Sequence, residues 1–150
     1  MPPGPGWGER EVHRQGAAMD AKTQSQEAMA LEVLDLVNRH RKTLGMPALR
    51  LSPIESSVAQ KHSSEMASGK TPFGHDGLQQ RIDVISRQIG PLSAEAENVA
   101  FGPRDAKSVV DMWLKSQLHR GNMEGAYTLT GIGVSADRQG RLYFTQIFTR

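Results

Sequence analysis

The feature that most constrains the fold of this chain is a set of polar side chains that lie far apart in the sequence and carry complementary chemistry. Two histidines, His75 and His119, and one acid, Glu97, are spread over about 45 residues. Two imidazoles and a carboxylate can act on one ligand only if separate elements bring them together. The chain must therefore fold so that these three side chains share one cleft.

Length and composition exclude several kinds of protein. With 150 residues the chain fits one domain whose core needs no disulfide bonds. It contains no cysteine, which excludes a cysteine-bound metal, a thiol nucleophile and a disulfide framework. The net charge is +2, and no run of like charges forms a patch for nucleic acid. Nucleic acid is therefore not an expected partner, while the oligomeric state is left open.

The N-terminal segment predicts a division of the chain into a disordered leader over residues 1–26 and one domain over residues 27–150. The leader starts with a Pro- and Gly-rich run and continues with mixed polar residues. No uninterrupted apolar stretch of the kind found in a signal peptide is visible there. The stretch at 28–37 is interrupted by Glu32 and Asp35 and is too short to cross a bilayer. We therefore expect no transmembrane segment and see no export signal.

Hydrophobic periodicity predicts helices first and a β-hairpin last. Ser52, Pro53 and Glu55 give the second helix a cap, a proline at its first position and a capping box. Glu97 to Phe101 is predicted to be a short buried strand. The predicted helices cover about residues 26–44, 53–69, 76–90 and 104–116, and the hairpin strands cover 130–136 and 142–149. This order indicates an α+β domain.

The predicted strand makes Glu97 a candidate site residue. It alternates with Val99 and Phe101, so its side chain should point to the same face as theirs. A carboxylate on an apolar face is costly to bury unless it is paired. A histidine is the natural partner. His40 and His62 lie on predicted helices and are interpreted as packing or surface residues, and His13 lies in the leader.

Two neutral imidazoles and a carboxylate could hold a divalent ion such as zinc, with an open position for water. The spacing supports this weakly, because the chain has no His-Glu-x-x-His motif. Ser116 is not assigned as a nucleophile. The sequence offers it a base in His119 but neither an orienting group nor a Gly-x-Ser-x-Gly turn.

The whole set of motifs resembles the CAP superfamily of cysteine-rich secretory, antigen 5 and pathogenesis-related class 1 proteins, in particular its cysteine-free bacterial branch. The resemblance covers about residues 28–150. The motifs that carry it are Phe73-Gly74-His75, Glu97-Asn98-Val99-Ala100, the segment from Trp113 to Asn122, and Gly131-Ile132-Gly133-Val134. The resemblance implies a three-layer α-β-α sandwich with a small, mainly antiparallel sheet between helices.

The resemblance also implies a cleft lined by two histidines and two acids, in which some members bind zinc or another divalent ion. By motif, His75, His119 and Glu97 correspond to three of these residues, and all three are candidate metal ligands. Ser116 stands where the second acid is usual, which weakens the metal hypothesis. We expect supporting hydrogen bonds from Asn98, Arg120 and Asn122, with Glu124 as a partner of Arg120.

Two functional classes remain open. The resemblance favours a secreted or envelope-associated binding module, without chemistry, for a small hydrophobic ligand, a glycan or a protein. The alternative is a zinc-dependent hydrolase that uses His75, His119 and Glu97, with Glu97 and His119 as its catalytic groups and Glu97 activating the zinc-bound water. No cofactor is certain, and a divalent cation would be required only by the second class.

Overall fold

The computed structural model describes the backbone of residues 7–150 and the side chains of residues 25–150, so the leader's His13 lies outside the described side chains. The helices are α1 (Trp7–Thr43), α2 (Pro53–Ala67), α3 (Leu78–Ile89), α4 (Ala106–Leu114) and α5 (Gln117–Met123). The strands are β1 (Arg50–Leu51), β2 (Glu95–Phe101), β3 (Leu129–Ala136) and β4 (Leu142–Thr149).

The four strands form one mixed sheet in the order β1-β3-β4-β2. β4 runs antiparallel to both of its neighbours, β3 and β2, while the two-residue β1 runs parallel to β3. The predicted α+β class with a mainly antiparallel sheet is therefore confirmed. β2 is an edge strand. Its outer edge, at Glu97 and Asn98, is therefore free to contact the chain segments that precede and follow β2.

Helices cover both faces of the sheet, as the three-layer prediction requires. On one face, α1 and α4 pack on β3 and β4 around a core that includes Val37, Trp113 and Phe144. On the other face, α2 and α3 enclose a smaller core in which Ala59, Ile85 and Ile147 are fully buried. Among the described residues, no helix combines the length and the hydrophobicity that a bilayer crossing requires.

Three boundaries differ from the predictions. α1 begins at Trp7, ahead of the predicted start near residue 26, so the proposed division at residue 26 is not marked by a helix start. The predicted fourth helix ends at Leu114, and a separate helix, α5, follows it. α3 is preceded by Gly77 in a left-handed conformation, and not opened by Asp76 as predicted.

α2 lies unusually close to β3 because β3 contributes two glycines. A Cβ atom added to Gly131 would lie 2.1 Å from the backbone carbon of Glu55, and one added to Gly133 would lie 2.3 Å from the backbone nitrogen of Gln60. Side chains of α2 then bond directly to the strand. The Gln60 amide accepts from Val134 N at 2.9 Å and donates to Val134 O at 2.8 Å.

The side chain of Glu55 does not take the position that the predicted capping box requires. Its backbone N–H donates to Ser52 Oγ at 3.3 Å, as expected for the cap. Its side chain, however, turns inward, is fully buried and accepts from Thr149 Oγ1 at 2.8 Å. Oε1 has no hydrogen-bond partner among the described residues. Burial raises the pKa of Glu55 to about 7.

This raised pKa predicts a pH-dependent stability. The folded state keeps its proton on Glu55 up to a pH of about 7, whereas the unfolded chain loses it near 4.5. The contribution of Glu55 is therefore fully present at low pH and is lost as the pH rises through about 7. Between pH 4.5 and about 7, we expect the free energy of unfolding of the wild type to fall by roughly 3 kcal/mol relative to Glu55→Gln. Urea unfolding of both proteins over a pH series measures the difference, and parallel pH profiles would contradict it.

Candidate functional site

Three elements meet at the outer edge of β2. The loop over residues 68–77 brings His75, β2 brings Glu97 and Asn98, and α5 brings His119. Glu97 and Asn98 are consecutive in a strand, so their side chains lie on opposite faces of the sheet. Glu97 points to the α2–α3 side and Asn98 to the α5 side. Residues from both helical layers therefore meet at this edge of the sheet.

Glu97 has the histidine partner that its burial demanded and also a second, stronger partner. Its carboxylate is fully buried and accepts from His75 Nδ1 at 2.8 Å. Arg81 of α3 binds the same carboxylate with two nitrogens, Nε to Oε2 at 2.8 Å and Nη2 to Oε1 at 2.7 Å. Such two-pronged pairs are the strongest type of ion pair in proteins. Sequence reasoning missed Arg81.

Arg81 also fixes the loop that carries His75. Its Nη1 donates to Asp76 O at 2.7 Å and its Nη2 lies 3.3 Å from His75 O. The guanidinium side chain is only 12% exposed, whereas the His75 side chain is 50% exposed. Arg81 and Glu97 therefore form a buried ion pair that holds the His75 ring toward solvent.

His62 lies beside the same buried ion pair, although the sequence suggested only a packing or surface position. It is buried on α2, and its Nε2 donates to Gly74 O at 2.7 Å. The same nitrogen lies 4.0 Å from Glu97 Oε1. Burial lowers the pKa of His62, so the ring is neutral at neutral pH with its proton on Nε2. His62 is therefore a positioning residue for the loop before His75.

His119 lies on α5 and is held by Ser116 and Trp113. Its Nδ1 shares a hydrogen bond with Ser116 Oγ at 2.7 Å, and its ring stacks on Trp113 with a centroid distance of 6.4 Å. Trp113 is a buried core residue, as predicted, and donates from Nε1 to Val99 O at 3.2 Å. Burial, and then the charge of nearby His75, lower the pKa of His119. The structure thus brings both histidines into electrostatic reach of each other.

Polar side chains fix α5 against the sheet edge. Asn98 Nδ2 donates to His119 O at 3.0 Å, and Asn122 Nδ2 donates to Asn98 Oδ1 at 2.8 Å. Arg120 Nε donates to Glu124 Oε2 at 2.8 Å, the carboxylate named from the sequence. Glu124 Oε2 also lies 2.6 Å from His40 Nε2, which ties α5 to α1. These hydrogen bonds therefore hold α5, and with it His119, at the edge of β2.

The donor atoms around the cleft do not fit a zinc centre of the catalytic type. Such sites use three protein ligands and a water. Here Glu97 gives both oxygens to Arg81, and Ser116 replaces a second acid with a hydroxyl. Only the Nε2 atoms of His75 and His119 are left for a metal. Within residues 25–150, no group of three His, Asp, Glu or Cys side chains is placed to hold an ion.

Arg81→Met tests how strongly the buried ion pair of Arg81 and Glu97 stabilises the fold. Removing the guanidinium leaves the Glu97 carboxylate buried without its arginine partner, with the hydrogen bond to His75 still in place. Breaking a buried pair in this way costs roughly 3 kcal/mol or more. We expect a loss of this size in the free energy of unfolding, measured by urea denaturation. The matched control is Arg87→Met, at an exposed position on the same helix, with a change within about 0.5 kcal/mol. Equal losses in the two variants would show that Arg81 has no special role.

Comparisons with known proteins agree with the geometry. The sequence model of the CAP family, described as Cysteine-rich secretory protein family, matches residues 34–148. The chain is 27% identical over 124 residues to the protein YkwD of Bacillus subtilis, and the match covers 81% of this chain and 48% of YkwD. The chain thus spans about half the length of this curated relative.

Solved structures show the same fold. An extracellular protein containing a SCP domain from Bacillus anthracis matches with a TM-score of 0.71 and 27% identity, over 87% of this chain and 43% of that one. A cysteine-rich secretory protein from Staphylococcus aureus matches with a TM-score of 0.68 and 21% identity, over 83% and 38%. An outer surface protein from Borrelia burgdorferi matches with a TM-score of 0.65 and 19% identity, over 78% and 88%.

Proposed function

The chain belongs to the CAP, or cysteine-rich secretory protein, family, and from this premise we propose that it is a secreted or envelope-associated binding module and not a hydrolase. The observation that carries the proposal is the pair of hydrogen bonds from Arg81 to Glu97. They occupy both oxygens of the Glu97 carboxylate, so Glu97 is an anchor for His75 and is unsuited to act as a base. The location is supported by the relatives described as extracellular or outer surface proteins.

The proposed ligand site is a groove of about 330 Å³ between α2 and α3. Val58 and Val84 give it apolar walls, and His62 and Arg81 line it from the side of the buried ion pair between Arg81 and Glu97. Its charged lining also includes Lys61, Glu65 and Asp76, so the groove carries no excess of positive charge. A groove with apolar walls and charged groups of both signs suits a small amphipathic ligand with a hydrocarbon chain and a polar head group. Dodecanoate is a suitable probe of this class.

Two substitutions on α3 test the groove. Val84 lines it and is 40% exposed, whereas Ile89 lies outside it on the same helix and is 42% exposed. We expect Val84→Asp to weaken dodecanoate binding by about tenfold, because a charge of the same sign as the probe replaces an apolar contact. Ile89→Asp should leave binding unchanged. Calorimetric titration measures both, and equal affinities for the two variants, or no binding to the wild type, would refute the groove as the site.

The histidines should be dispensable for this binding. His75→Ala combined with His119→Ala removes two partly exposed rings and leaves the groove lining intact. The double variant is expected to stay folded and to bind dodecanoate as the wild type does. Loss of the fold, followed by circular dichroism, would instead show that the histidines are structural.

The zinc-dependent hydrolase remains the second candidate, since His75 lies close enough to His119 for its charge to lower the pKa of His119. A hydrolase of this type needs Glu97 free of Arg81. No step of such a reaction follows from the contacts of the described residues. The two candidates are separated by the zinc titration described at the end of the Discussion.

A further inference from the structure

A cluster of three aromatic rings lies where β2 ends and β4 begins, and none of its residues lines the groove between α2 and α3. Phe101 of β2 stacks on Tyr143 of β4 with a centroid distance of 4.5 Å, and the two residues are directly opposite in the sheet. Phe73, from the loop after α2, lies 6.2 Å from Phe101 and 6.5 Å from Tyr143. We call these three residues the aromatic platform.

Cross-strand packing explains only part of the platform. A facing pair such as Phe101 and Tyr143 stabilises neighbouring strands. Phe73, however, is 52% exposed and Phe101 is 39% exposed. Large aromatic side chains gain from burial, and here two of them present their rings to solvent. Such a surface is suited to a ligand with a flat apolar face.

A polar groove of about 620 Å³ adjoins the platform. It lies between the C-terminal end of α2 and the turn that joins β3 to β4. Arg141 and Tyr143 line the groove, Tyr143 is part of the platform, and the Arg141 guanidinium lies 5.4 Å from the centre of the Phe101 ring. The groove and the platform are therefore one continuous surface. The groove's other polar lining side chains are Ser64, Ser68, Ser135, Asp137, Arg138 and Gln139.

Hydrogen bonds within the turn hold these polar groups in place. Asp137 Oδ2 accepts from Arg141 Nε at 2.7 Å, and Asp137 Oδ1 accepts from the backbone N–H groups of Gln139 and Arg141 at 2.9 Å. Arg141 thus neutralises Asp137, the one carboxylate among the described residues that line the groove. Arg138 is exposed in the same turn, and it leaves the groove with a net positive charge.

We propose that this surface is a second binding site, independent of the groove between α2 and α3, and that its ligand is an acidic oligosaccharide. The apolar face of a sugar ring packs on aromatic rings, and the platform supplies two that are exposed. Sugar hydroxyls need hydrogen-bond donors and acceptors, which Gln139, Arg141 and the serines supply. The positive charge of Arg138 selects a saccharide with carboxylates over a neutral one.

Two tetrasaccharides test the proposal by NMR chemical-shift titration. Tetragalacturonate carries a carboxylate on every ring, and cellotetraose is a neutral chain of the same length. We expect tetragalacturonate to shift amide signals of residues 64–73 and 137–143 and to bind about fivefold more tightly than cellotetraose. Equal binding of the two sugars, or shifts outside these segments, would overturn the assignment. A control with sulfate separates the sugar from a simple anion, and equal shifts with sulfate would also overturn it.

Matched variants connect the binding to the named side chains. Phe73→Ala should weaken tetragalacturonate binding about fivefold, while Leu118→Ala, at an 84% exposed apolar position on α5, should leave it unchanged. Arg138→Gln should have an effect of similar size, and Arg87→Gln on α3 should have none. The site would be refuted if all four variants bound the sugar as the wild type does. Dodecanoate binding reports on the groove between α2 and α3 and should be unchanged in all four variants.

Discussion

Gly131→Ala combined with Gly133→Ala is expected to abolish cooperative folding of this domain. Each new Cβ atom would lie within 2.4 Å of backbone atoms of α2, at Glu55 and at Gln60. A flexible side chain could move away, but helix backbone cannot do so without moving α2 off the sheet. Overpacking a core by one methyl group costs roughly 1 to 3 kcal/mol, and a clash with backbone lies at or above the upper end. Two such clashes approach the entire stability of a typical domain, which is about 5 to 15 kcal/mol.

Gly121→Ala is the matched control for the two strand glycines. Gly121 lies in α5, and a Cβ atom added there has no neighbour within 4 Å. Alanine is favoured over glycine in a helix by roughly 0.5 to 1 kcal/mol, so this variant should be as stable as the wild type or slightly more stable. Thermal unfolding followed by circular dichroism compares the proteins. A cooperative transition in the double strand variant, at a temperature close to that of the wild type, would show that α2 does not lie as close to β3 as described.

Arg41→Met is expected to cost roughly 3 to 5 kcal/mol in the free energy of unfolding. Arg41 lies in the last turn of α1 and is 1% exposed. Its guanidinium donates to four backbone carbonyls, namely Pro47 O at 3.0 Å, Met123 O at 3.0 Å, Gly125 O at 2.7 Å and Tyr127 O at 3.3 Å. Methionine preserves most of the volume and leaves these carbonyls without their donor.

The effect of Arg41 should extend to the cleft, because Met123 is the last residue of α5, the helix that carries His119. The control is Arg39→Met, two residues earlier on α1, where the side chain is 73% exposed and pairs with Asp35. That variant should change the free energy of unfolding by less than about 0.5 kcal/mol. Urea unfolding of both variants measures the difference, and similar stabilities would mean that the buried hydrogen bonds of Arg41 contribute nothing.

The sequence predicted the elements that have strong local signals. α2 has its cap at Ser52 and its proline at the first position, and the hairpin of β3 and β4 has its polar turn. β1 was missed because two residues are too few for a periodic pattern. α5 was missed because its seven residues are also too few for a clear periodic pattern. Short elements of this kind depend on tertiary contacts more than on local propensity.

The histidine partner of Glu97 could be predicted from the sequence, but its arginine partner could not. The expectation that buried Glu97 needs a partner was sound, and His75 is within hydrogen-bond distance. Arg81 was overlooked because it belongs to a different element, 16 residues away, where it precedes the buried Ile82. A signal was present, since an acid on an apolar face calls for a cation as much as for a histidine. This omission made Glu97 look like a free ligand.

The claim that Glu97 anchors His75, and is neither a zinc ligand nor a base, is tested most directly by calorimetric zinc titration. The wild type is compared with the double variant His75→Ala and His119→Ala at neutral pH. Two imidazole nitrogens without an anionic oxygen predict no saturable one-to-one zinc uptake at micromolar protein concentration. One equivalent of zinc bound tightly by the wild type, and lost in the double variant, would contradict the claim and favour the zinc-dependent hydrolase.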